Sequence, residues 1–539
     1  MNSMYYVRKM MLATVTLLVS ISFAAKADDL CSTPVTTRTG QVSGMADMAS
    51  KTCAWLGMPY AAPPVGENRW RAPQPAVPWS GVRETKAFGQ RCMQSGGPME
   101  SMSEDCLTLN IWRPDKPGKF PVMIFIHGGA YVVGWSKDDL GGKLAEFGDV
   151  IVITFDYRLG AFGFLATPAL REEDPDKSAG SYGSLDQIAA LKWVHDNIAN
   201  FGGDPSNITI FGQSAGGWSV CTLLASPLAK GLFSRAIIES GGCESTETLD
   251  QGYATGAIVA KKVGCKVDDL KCLRAVPAEK LVVSGADDIF KKGFVFFPHE
   301  DGHLLTGTPL SIIRSGNFNK VPLLAGSNKE EINAVVKAVR PWLYYALPFQ
   351  YESRIIRNLN VTRDEAKNVE QAYPLTKYNN RPGEAFGYIL TDMLLACPTY
   401  FGLESFAGQA VPAYYYRFDY RGMENGSVVG AMHTMEVPLV FNSFGEGSKF
   451  KTNNIEQTRE LSRIIQGYWT NFAKTGNPNG PNLPVWPRFE PNHQAVQILD
   501  TQVRTEQSDS RPRCAPWDGY PQTHTPAWKN LGKHEKHKR

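Results

Sequence analysis

Asn-Ile-Thr-Ile-Phe-Gly-Gln-Ser-Ala-Gly-Gly, residues 207–217, is the stretch that decides the fold. Its β-branched and aromatic start predicts a short strand, and its small residues at the end predict the first turn of a helix. Between them lies Gly-x-Ser-x-Gly, the pattern of a nucleophile elbow, in which a serine occupies a sharp strand-to-helix turn. Gly212 and Gly216 have no Cβ, so the strand and the helix can approach closely beside Ser214. The same pattern also occurs in ordinary glycine-rich turns, so the neighbouring sequence has to distinguish an elbow from such a turn.

The context is an alternation of strands and helices. The continuous apolar runs 121–126 and 150–155 predict strands buried on both faces, as in a parallel sheet. Apolar residues at helical spacing over 185–198 predict the helix that precedes the elbow. Further strands are expected at 236–238, 321–325 and 413–418. The predicted class is therefore α/β, with one large, mostly parallel central sheet flanked by helices.

The remaining segments supplement this core. Residues 36–57 alternate and turn, which predicts an N-terminal hairpin. Six prolines between 59 and 78 exclude a helix there and predict an extended arm. The segment between Glu330 and Met432 is helical by composition, and we expect its helices to form the lid or wall of a gorge.

The chain begins with the features of a signal peptide. Two basic residues precede an apolar run too short to span a bilayer, and Ala25-Lys26-Ala27 forms a small-residue cleavage site. We expect export, to the periplasm or the medium, with residues 1–27 removed. Residues 28–528 are expected to form a single domain, and 529–539 a basic, disordered tail.

The formal charge of +3 over 539 residues does not describe the body of the protein. Residues 1–27 hold three basic and no acidic residues, and 529–539 hold five basic residues and one acidic residue, so residues 28–528 carry −4. An acidic body argues against nucleic-acid binding. No later stretch approaches 18 uninterrupted apolar residues, so we expect no membrane span in the mature chain.

A serine hydroxyl becomes a nucleophile only with a base, an orienting acid and donors for the developing oxyanion. Among the nine histidines, His433 follows the strand predicted at 413–418 and fits the order Ser, acid, His that α/β-hydrolases use. His127 heads His-Gly-Gly-Ala just after a strand, where it suits an oxyanion loop better than a base.

The acid should follow a strand between the serine and the histidine. The strand predicted at 321–325 is followed by Gly-Ser-Asn-Lys-Glu-Glu, which ends in Glu330 and Glu331. Glu331 is our choice, although spacing alone does not separate it from Glu330.

Residues 299–303, His-Glu-Asp-Gly-His, match the zinc-protease pattern H-E-x-x-H. That pattern binds zinc only on a helix, where both imidazoles share one face. Pro298 and Gly302 argue against a helix here, so we expect no metal site.

Together these residues resemble the type-B carboxylesterases, which are α/β-hydrolases. The resemblance covers nearly all of the mature chain and depends on several motifs: Gly57-Met58-Pro59-Tyr60-Ala61, Glu104-Asp105-Cys106-Leu107-Thr108-Leu109-Asn110, His127-Gly128-Gly129-Ala130, Asp156-Tyr157-Arg158-Leu159-Gly160 with Gly163-Phe164-Leu165, residues 197–217, Asp301-Gly302, His433 with Glu436, and Asn471-Phe472-Ala473-Lys474-Thr475-Gly476-Asn477-Pro478.

The resemblance implies roles for individual residues. Ser214 is expected to be the nucleophile, His433 the general base and acid, and Glu331 the triad acid. The oxyanion donors are expected to be the backbone N–H groups of Gly129, Ala130 and Ala215, and no metal or organic cofactor is needed.

The ten cysteines of an exported chain suggest disulfides. Proximity in sequence and the resemblance imply five pairs: Cys31–Cys53, Cys92–Cys106, Cys221–Cys243, Cys265–Cys272 and Cys397–Cys514.

Two residues depart from the family pattern. Gln213 stands where the family usually has Glu, which removes a negative charge beside Ser214, and Ile332 replaces a usual Gly. The segment between Cys92 and Cys106 contains no Trp, so the choline-stacking residue of the cholinesterases has no counterpart there.

The expected function is a serine carboxylic-ester hydrolase that forms an acyl-enzyme on small to medium apolar esters. The alternatives are an esterase specialised for aromatic or feruloyl, polycarboxylic or lipid esters, and a non-catalytic adhesion protein on the same fold. Aromatic residues that could line the substrate pocket, or simply pack the core, are Tyr131, Trp135, Trp218, Phe294, Phe296 and Phe297. The oligomeric state is left open.

Overall fold

The structure is a computed structural model, and it describes residues 30–282, 296–339, 341–425 and 428–520. The predicted signal peptide, the basic tail and Phe294 lie outside these residues. The rest of the expected site lies within them.

A central sheet of eleven strands organises the chain. In chain order its strands are β1 (Met45–Asp47), β2 (Thr52–Pro59), β3 (Thr108–Pro114), β4 (Phe120–Ile126), β5 (Ile151–Phe155), β6 (Gly203–Gln213), β7 (Arg235–Glu239), β8 (Leu323–Asn328), β9 (Ala413–Phe418), β10 (Ala495–Leu499) and β11 (Arg504–Gln507).

The strand order across the sheet is β11-β10-β9-β8-β7-β6-β4-β5-β3-β2-β1. From β10 to β5 all neighbours are parallel, and the antiparallel pairs lie at the two edges. This confirms the predicted mostly parallel sheet. Strand β4 lies between β5 on one side and β6 on the other, so the strand order reverses there. Ligands of such sheets bind at the carboxyl ends of the strands beside a reversal.

The parallel strands are apolar throughout because helices cover both faces of the sheet. In β4, Val122, Ile124 and Ile126 pack into one core, while Met123 and Phe125 pack into the core on the other face. The continuous apolar run in the sequence was therefore a correct indicator of a central strand.

The helices confirm the α/β class. They are α1 (Gly142–Gly148), α2 (Gly160–Phe164), α3 (Pro168–Glu173), α4 (Tyr182–Asn197), α5 (Ala215–Ala225), α6 (Leu249–Lys262), α7 (Leu270–Ala275), α8 (Ala278–Leu281), α9 (Pro309–Arg314), α10 (Asn333–Val339), α11 (Pro341–Tyr344), α12 (Tyr351–Leu359), α13 (Arg363–Ala372), α14 (Pro382–Thr391), α15 (Cys397–Gly408), α16 (Val437–Val440), α17 (Ile455–Thr475) and α18 (Ser510–Cys514).

Helix α4 is the helix predicted over 185–198, and it begins three residues earlier than predicted. The segment after Glu330 is mainly helical, from α10 to α15, as its composition indicated. Strand β8 differs from the prediction at 321–325, because it extends to Asn328. Its backbone stays paired with β9 as far as Asn328–Phe418, so neighbouring strands, which local sequence does not reveal, set its end.

The N-terminal region contains two short antiparallel pairs, one between Val35–Thr36 and Gln41–Ser43 and one between β1 and β2. In the proline-rich arm 59–78, Pro59 ends β2, Gly66–Asn68 form a short 3₁₀ turn, and Ala61 pairs with Pro75 in an isolated antiparallel bridge.

Five disulfides brace the fold, and their pairings are those expected from the sequence: Cys31–Cys53, Cys92–Cys106, Cys221–Cys243, Cys265–Cys272 and Cys397–Cys514. The last one joins residues 117 apart in the chain. Such bridges belong to an oxidising, exported environment.

One stretch of the described chain, Pro382–Gly408, is long and apolar enough to pass for a membrane span by composition. It consists of α14, a π-helical turn at Asp392–Ala396 and α15. Because 89% of its most apolar window is buried inside the protein, it is a core helix here.

Candidate active site

Ser214 lies at a strained turn between β6 and α5. Its φ of 58° and ψ of −124° are a backbone conformation that non-glycine residues rarely adopt. A Cβ on Gly216 would collide with the carbonyl oxygen of Ile126, and a Cβ on Gly212 would lie 2.5 Å from the carbonyl oxygen of Gly216. Both glycines are therefore required by close backbone packing, and the predicted elbow is present.

His433 and Glu331 are hydrogen-bonded to each other. Nδ1 of His433 lies 2.7 Å from Oε2 of Glu331, and Glu331 is fully buried. The other carboxylate oxygen, Oε1, accepts a hydrogen bond from the backbone N–H of Asn328 at 2.6 Å. The carboxylate is thus fixed at both oxygens, and it can hold the imidazole with its proton on Nδ1.

Parallel strands bring Ser214 to the same edge of the sheet as Glu331 and His433. Ser214 follows β6, and its N–H donates to the carbonyl of Glu239 at the end of the neighbouring β7. The next residue, Ser240, donates its hydroxyl to Glu436 at 3.4 Å, three residues after His433. All of these groups lie at the carboxyl ends of adjacent strands.

Within the described residues the hydroxyl of Ser214 makes no direct hydrogen bond to His433. Catalytic hydrogen bonds are often long or poorly aligned in enzymes without substrate, and they tighten in the complex.

Two buried carboxyl groups, Glu331 and Glu436, act on His433, and a third, Glu239, lies close to Glu436. Burial alone would lower the pKa of His433, but the charge of Glu331, its hydrogen bond and the nearby Glu436 raise the pKa overall. Burial, together with the charge of Glu331, raises the pKa of Glu436 to about 7. Burial also raises the pKa of Glu239 well above its usual range, and that carboxyl accepts a 2.7 Å hydrogen bond from the Trp469 indole. These carboxyl groups therefore make the imidazole of His433 more basic than a free histidine, while burial disfavours charge on Glu436 and Glu239.

The loop after β4 lies directly against the elbow. A Cβ on Gly128 would lie 3.0 Å from Cβ of Ser214. The next three residues have positive φ, with values of 109° at Gly129, 54° at Ala130 and 60° at Tyr131. This unusual run turns the chain sharply at the end of β4 and presents successive backbone N–H groups near the serine, as an anion-binding turn does.

No hydrogen bond between described residues outside regular helices and strands uses the N–H of Gly129, Ala130 or Ala215. Ala215 is the first residue of α5, where the N–H groups of a helix have no partner within the helix. These three amide N–H groups can therefore donate hydrogen bonds to an oxyanion of the substrate.

His127 is buried and unsuited to be the base, in line with the expectation from its neighbours. Its ring stacks on Tyr157 with centroids 4.4 Å apart, and its Nδ1 lies 2.9 Å from the carbonyl of Gly128. Burial lowers the pKa of His127 to about 4, so the ring is neutral near pH 7.

The two candidate acids point in different directions. Glu330 accepts a hydrogen bond from Arg421 Nε at 3.0 Å and one from the Tyr388 hydroxyl at 3.4 Å. Glu331 contacts His433, as described above. The geometry thus separates two residues that sequence spacing could not.

The H-E-x-x-H segment is not helical. Residues His299–Glu300 form a short strand that pairs with Glu247–Thr248, and His299 Nδ1 lies 2.8 Å from the carbonyl of Gly180. Nε2 of His303 lies 3.9 Å from Asp176 instead. The two imidazoles are therefore not arranged as the zinc pattern requires.

The candidate pocket aromatics fall into two groups. Tyr131, Trp218 and Phe297 form a packed cluster with centroids 5.8–6.3 Å apart, and Phe296 is also buried. Tyr131 also follows the oxyanion loop. Trp135 is half-buried and lies between the cations of Arg91 and Lys137, at 5.4 and 5.0 Å.

A separate cavity of about 730 Å³ lies beside the segment that contains Asn328. Its lining includes Asn328, Tyr388 and Arg513, but not Ser214 or His433. We therefore do not identify this cavity with the position of the reacting ester.

Sequence reasoning assigned no role to Asn328, Ser240 and Glu239, and it quoted Glu436 only as part of a motif. Asn328 donates its side-chain amide to the carbonyl of Met432 at 2.7 Å and also to Glu436, so it ties the acid loop to the histidine loop. The only sequence signal was that Asn328 follows the strand predicted at 321–325, since the partners of its side chain lie more than 100 residues away.

Comparisons with known proteins identify the family of the chain. The model of the carboxylesterase family matches residues 32–517. A para-nitrobenzyl esterase of Bacillus subtilis is 35% identical over 510 residues, which cover 90% of this chain and 99% of that protein. Carboxylesterase 1D of Rattus norvegicus is 34% identical, with 85% of this chain and 87% of that protein covered. The crystal structure of a carboxylesterase from Geobacillus stearothermophilus superimposes with a TM-score of 0.80 at 34% identity, and it covers 90% of this chain and 100% of that one.

The chain belongs to the carboxylesterase family and has the α/β-hydrolase fold. It is accordingly a serine hydrolase of carboxylic esters.

Proposed function

We propose that Ser214, His433 and Glu331 carry out ester hydrolysis through an acyl-enzyme. Oγ of Ser214 attacks the ester carbonyl carbon while Nε2 of His433 takes the hydroxyl proton. The imidazolium then gives this proton to the departing alcohol. Water, deprotonated by His433, attacks the acyl-enzyme, and the acid leaves as the proton returns to Ser214.

The observation that carries this proposal is the doubly held carboxylate of Glu331. With Asn328 N–H on one oxygen and His433 Nδ1 on the other, the imidazole has its Nε2 free for the serine proton. Glu331 stabilises the imidazolium that forms when that proton is taken, which agrees with the raised pKa of His433.

The oxyanion of both tetrahedral intermediates would be bound by the N–H groups of Gly129, Ala130 and Ala215. These donors are held in place by the elbow and by the positive-φ loop, so they need no reorganisation during the reaction. Each such donor typically contributes about 3 to 4 kcal/mol to transition-state stabilisation.

For the substrate we propose small to medium apolar esters. The packed aromatic cluster of Tyr131, Trp218 and Phe297 beside the oxyanion loop supports an apolar or aromatic group near the scissile bond. The Bacillus subtilis relative is named for para-nitrobenzyl esters, so these belong in the substrate panel. A panel that varies acyl and alcohol groups separately would test this range against aromatic, polycarboxylic and lipid esters.

The test of the catalytic residues is hydrolysis of p-nitrophenyl acetate and butyrate by Ser214→Ala and His433→Ala. Both variants should lose turnover by at least 10³-fold with unchanged circular dichroism, because they remove the nucleophile or its base. A fluorophosphonate probe should label the wild type and not Ser214→Ala. Ser353→Ala, an exposed serine on α12, is the matched control and should keep full activity and labelling. Full activity in Ser214→Ala would refute the assignment.

We further propose that residues 28–528 act as one exported domain, in the periplasm or the medium. The five disulfides support export, since such bridges persist in oxidising compartments. N-terminal sequencing of the protein from the periplasmic fraction and the medium tests this, with Asp28 as the expected first residue. A protein found only in the cytoplasm with its thiols reduced would contradict it.

A further inference from the structure

Exposed apolar side chains are concentrated in one short stretch that follows Glu331 along the chain. Phe349 is 81% exposed, Tyr345 69%, Leu347 54% and Trp342 42%. We call residues 342–349 the apolar tip. Isolated exposed apolar residues are normal, but a contiguous group of large ones marks an interaction surface.

The apolar tip is anchored to the fold. Leu343 and Ala346, which alternate with the exposed residues, are buried. The backbone of Tyr344 packs so closely against α14 that a Cβ on Gly383 would collide with it. The buried residues of the tip therefore hold it against the fold, and its exposed side chains face outward in the folded chain.

Basic residues flank the tip on both sides. Lys337 precedes it on α10, and Arg354 and Arg357 follow it on α12. None of the three forms an ion pair with a described residue. The single acidic residue between 337 and 357 is Glu352, and it is already paired with Arg363 at 3.0 Å. Along residues 337–357 the basic residues therefore outnumber the acidic one.

We propose that the apolar tip docks on an anionic lipid membrane surface. Aromatic and aliphatic side chains can enter the boundary between head groups and acyl chains, while neighbouring Lys and Arg bind the lipid phosphates. A second copy of this chain is a poorer partner, because a symmetric contact would bring the same cations against each other.

The experiment is co-sedimentation of the full exported chain with 100 nm vesicles of phosphatidylcholine alone or with 30% phosphatidylglycerol. We expect binding that increases with phosphatidylglycerol and decreases as NaCl is raised to 0.5 M. The Leu347→Ser/Phe349→Ser double variant should lose about tenfold or more in vesicle affinity. Arg354→Gln and Arg357→Gln should each lose about fivefold. Val485→Ser, which changes a 75% exposed valine elsewhere, is the matched control and should bind as the wild type does.

Circular dichroism of each variant shows whether the fold is intact. Failure of the wild type to sediment with phosphatidylglycerol vesicles would overturn the proposal. Undiminished binding of the Leu347→Ser/Phe349→Ser variant would do the same, since it would place the contact elsewhere, for example on the basic residues of 529–539. Light scattering without vesicles that gave a dimer for the wild type and a monomer for the double variant would assign the tip to self-association.

Discussion

Replacing Glu331 by Gln tests the proposed mechanism at the carboxylate whose two oxygens are both hydrogen-bonded. The shape of the side chain is kept, and only its charge and one acceptor are lost. Because the backbone N–H of Asn328 occupies Oε1 at 2.6 Å, the amide oxygen of Gln must take that position. The amide NH₂ then faces Nδ1 of His433, where the carboxylate lay at 2.7 Å. Nδ1 has to become an acceptor, so its proton moves to Nε2.

The resulting tautomer cannot accept the proton of Ser214. In serine hydrolases a change of this kind costs about 10⁴ in kcat, or about 5.5 kcal/mol of transition-state stabilisation. Part of this loss is electrostatic, because the carboxylate also raises the pKa of His433. We therefore expect kcat for p-nitrophenyl butyrate to decrease by 10³- to 10⁴-fold in Glu331→Gln, while KM changes little.

The assay is steady-state hydrolysis of p-nitrophenyl butyrate between pH 5 and 9, with circular dichroism as a check on folding. Glu330→Gln is the matched control, since its carboxylate bonds to Arg421 and Tyr388 rather than to His433. It should stay within about threefold of the wild type. Activity of Glu331→Gln within tenfold of the wild type, or a larger loss in Glu330→Gln, would refute the reasoning.

Three further changes test the packing and charge around the site. Because burial raises the pKa of Glu436 to about 7, the folded state keeps a proton that the unfolded state releases above about pH 4.5. The free energy of unfolding of the wild type should therefore decrease by up to about 3 kcal/mol as the pH rises from about 4.5 to 7. Urea unfolding at pH 5 and 8 should show a smaller decrease for Glu436→Gln than for the wild type. Asp186→Asn should cost about 3 to 5 kcal/mol and lower Tm in calorimetry, because it breaks a fully buried 2.7 Å ion pair with Arg158. Gly216→Ala should abolish soluble folded enzyme, because its Cβ collides with the backbone at the end of β4; Gly408→Ala, a helical glycine with open space, should express and fold normally.

The parts of this fold that could be predicted from sequence are those with a local cause. Continuous apolar runs marked β4 and β5 because both faces of these strands are buried, and helical spacing marked α4. The elbow was recognisable because a backbone turn at Ser214 requires small residues at fixed offsets. His433 could be placed by chain order and elimination.

The parts that could not be predicted depend on contacts between distant segments. Strand β8 extends to Asn328 because β9 continues to pair with it, and nothing within residues 321–331 indicates that extension. The choice between Glu330 and Glu331 depends on the geometry of the chain after β8, which directs one of the two carboxylates toward His433. The roles of Asn328 and Glu239 depend in the same way on partners that are remote in sequence.

The buried carboxyl groups near His433 show why the pairing of Glu331 with His433 depends on tertiary structure. A histidine that receives a proton needs one negative charge beside it, and additional charges in the same buried space would repel each other and be costly to desolvate. Glu331 receives two donors, from Asn328 and His433, which stabilise a carboxylate. Glu436 accepts hydrogen bonds from Asn328 and Ser240 instead, and burial raises its pKa and that of Glu239. The site thus holds three buried carboxyl groups, and Glu331 is the one that is hydrogen-bonded to the imidazole. The partners that hold each carboxyl group, and not the mere presence of an acid, therefore determine which one faces His433.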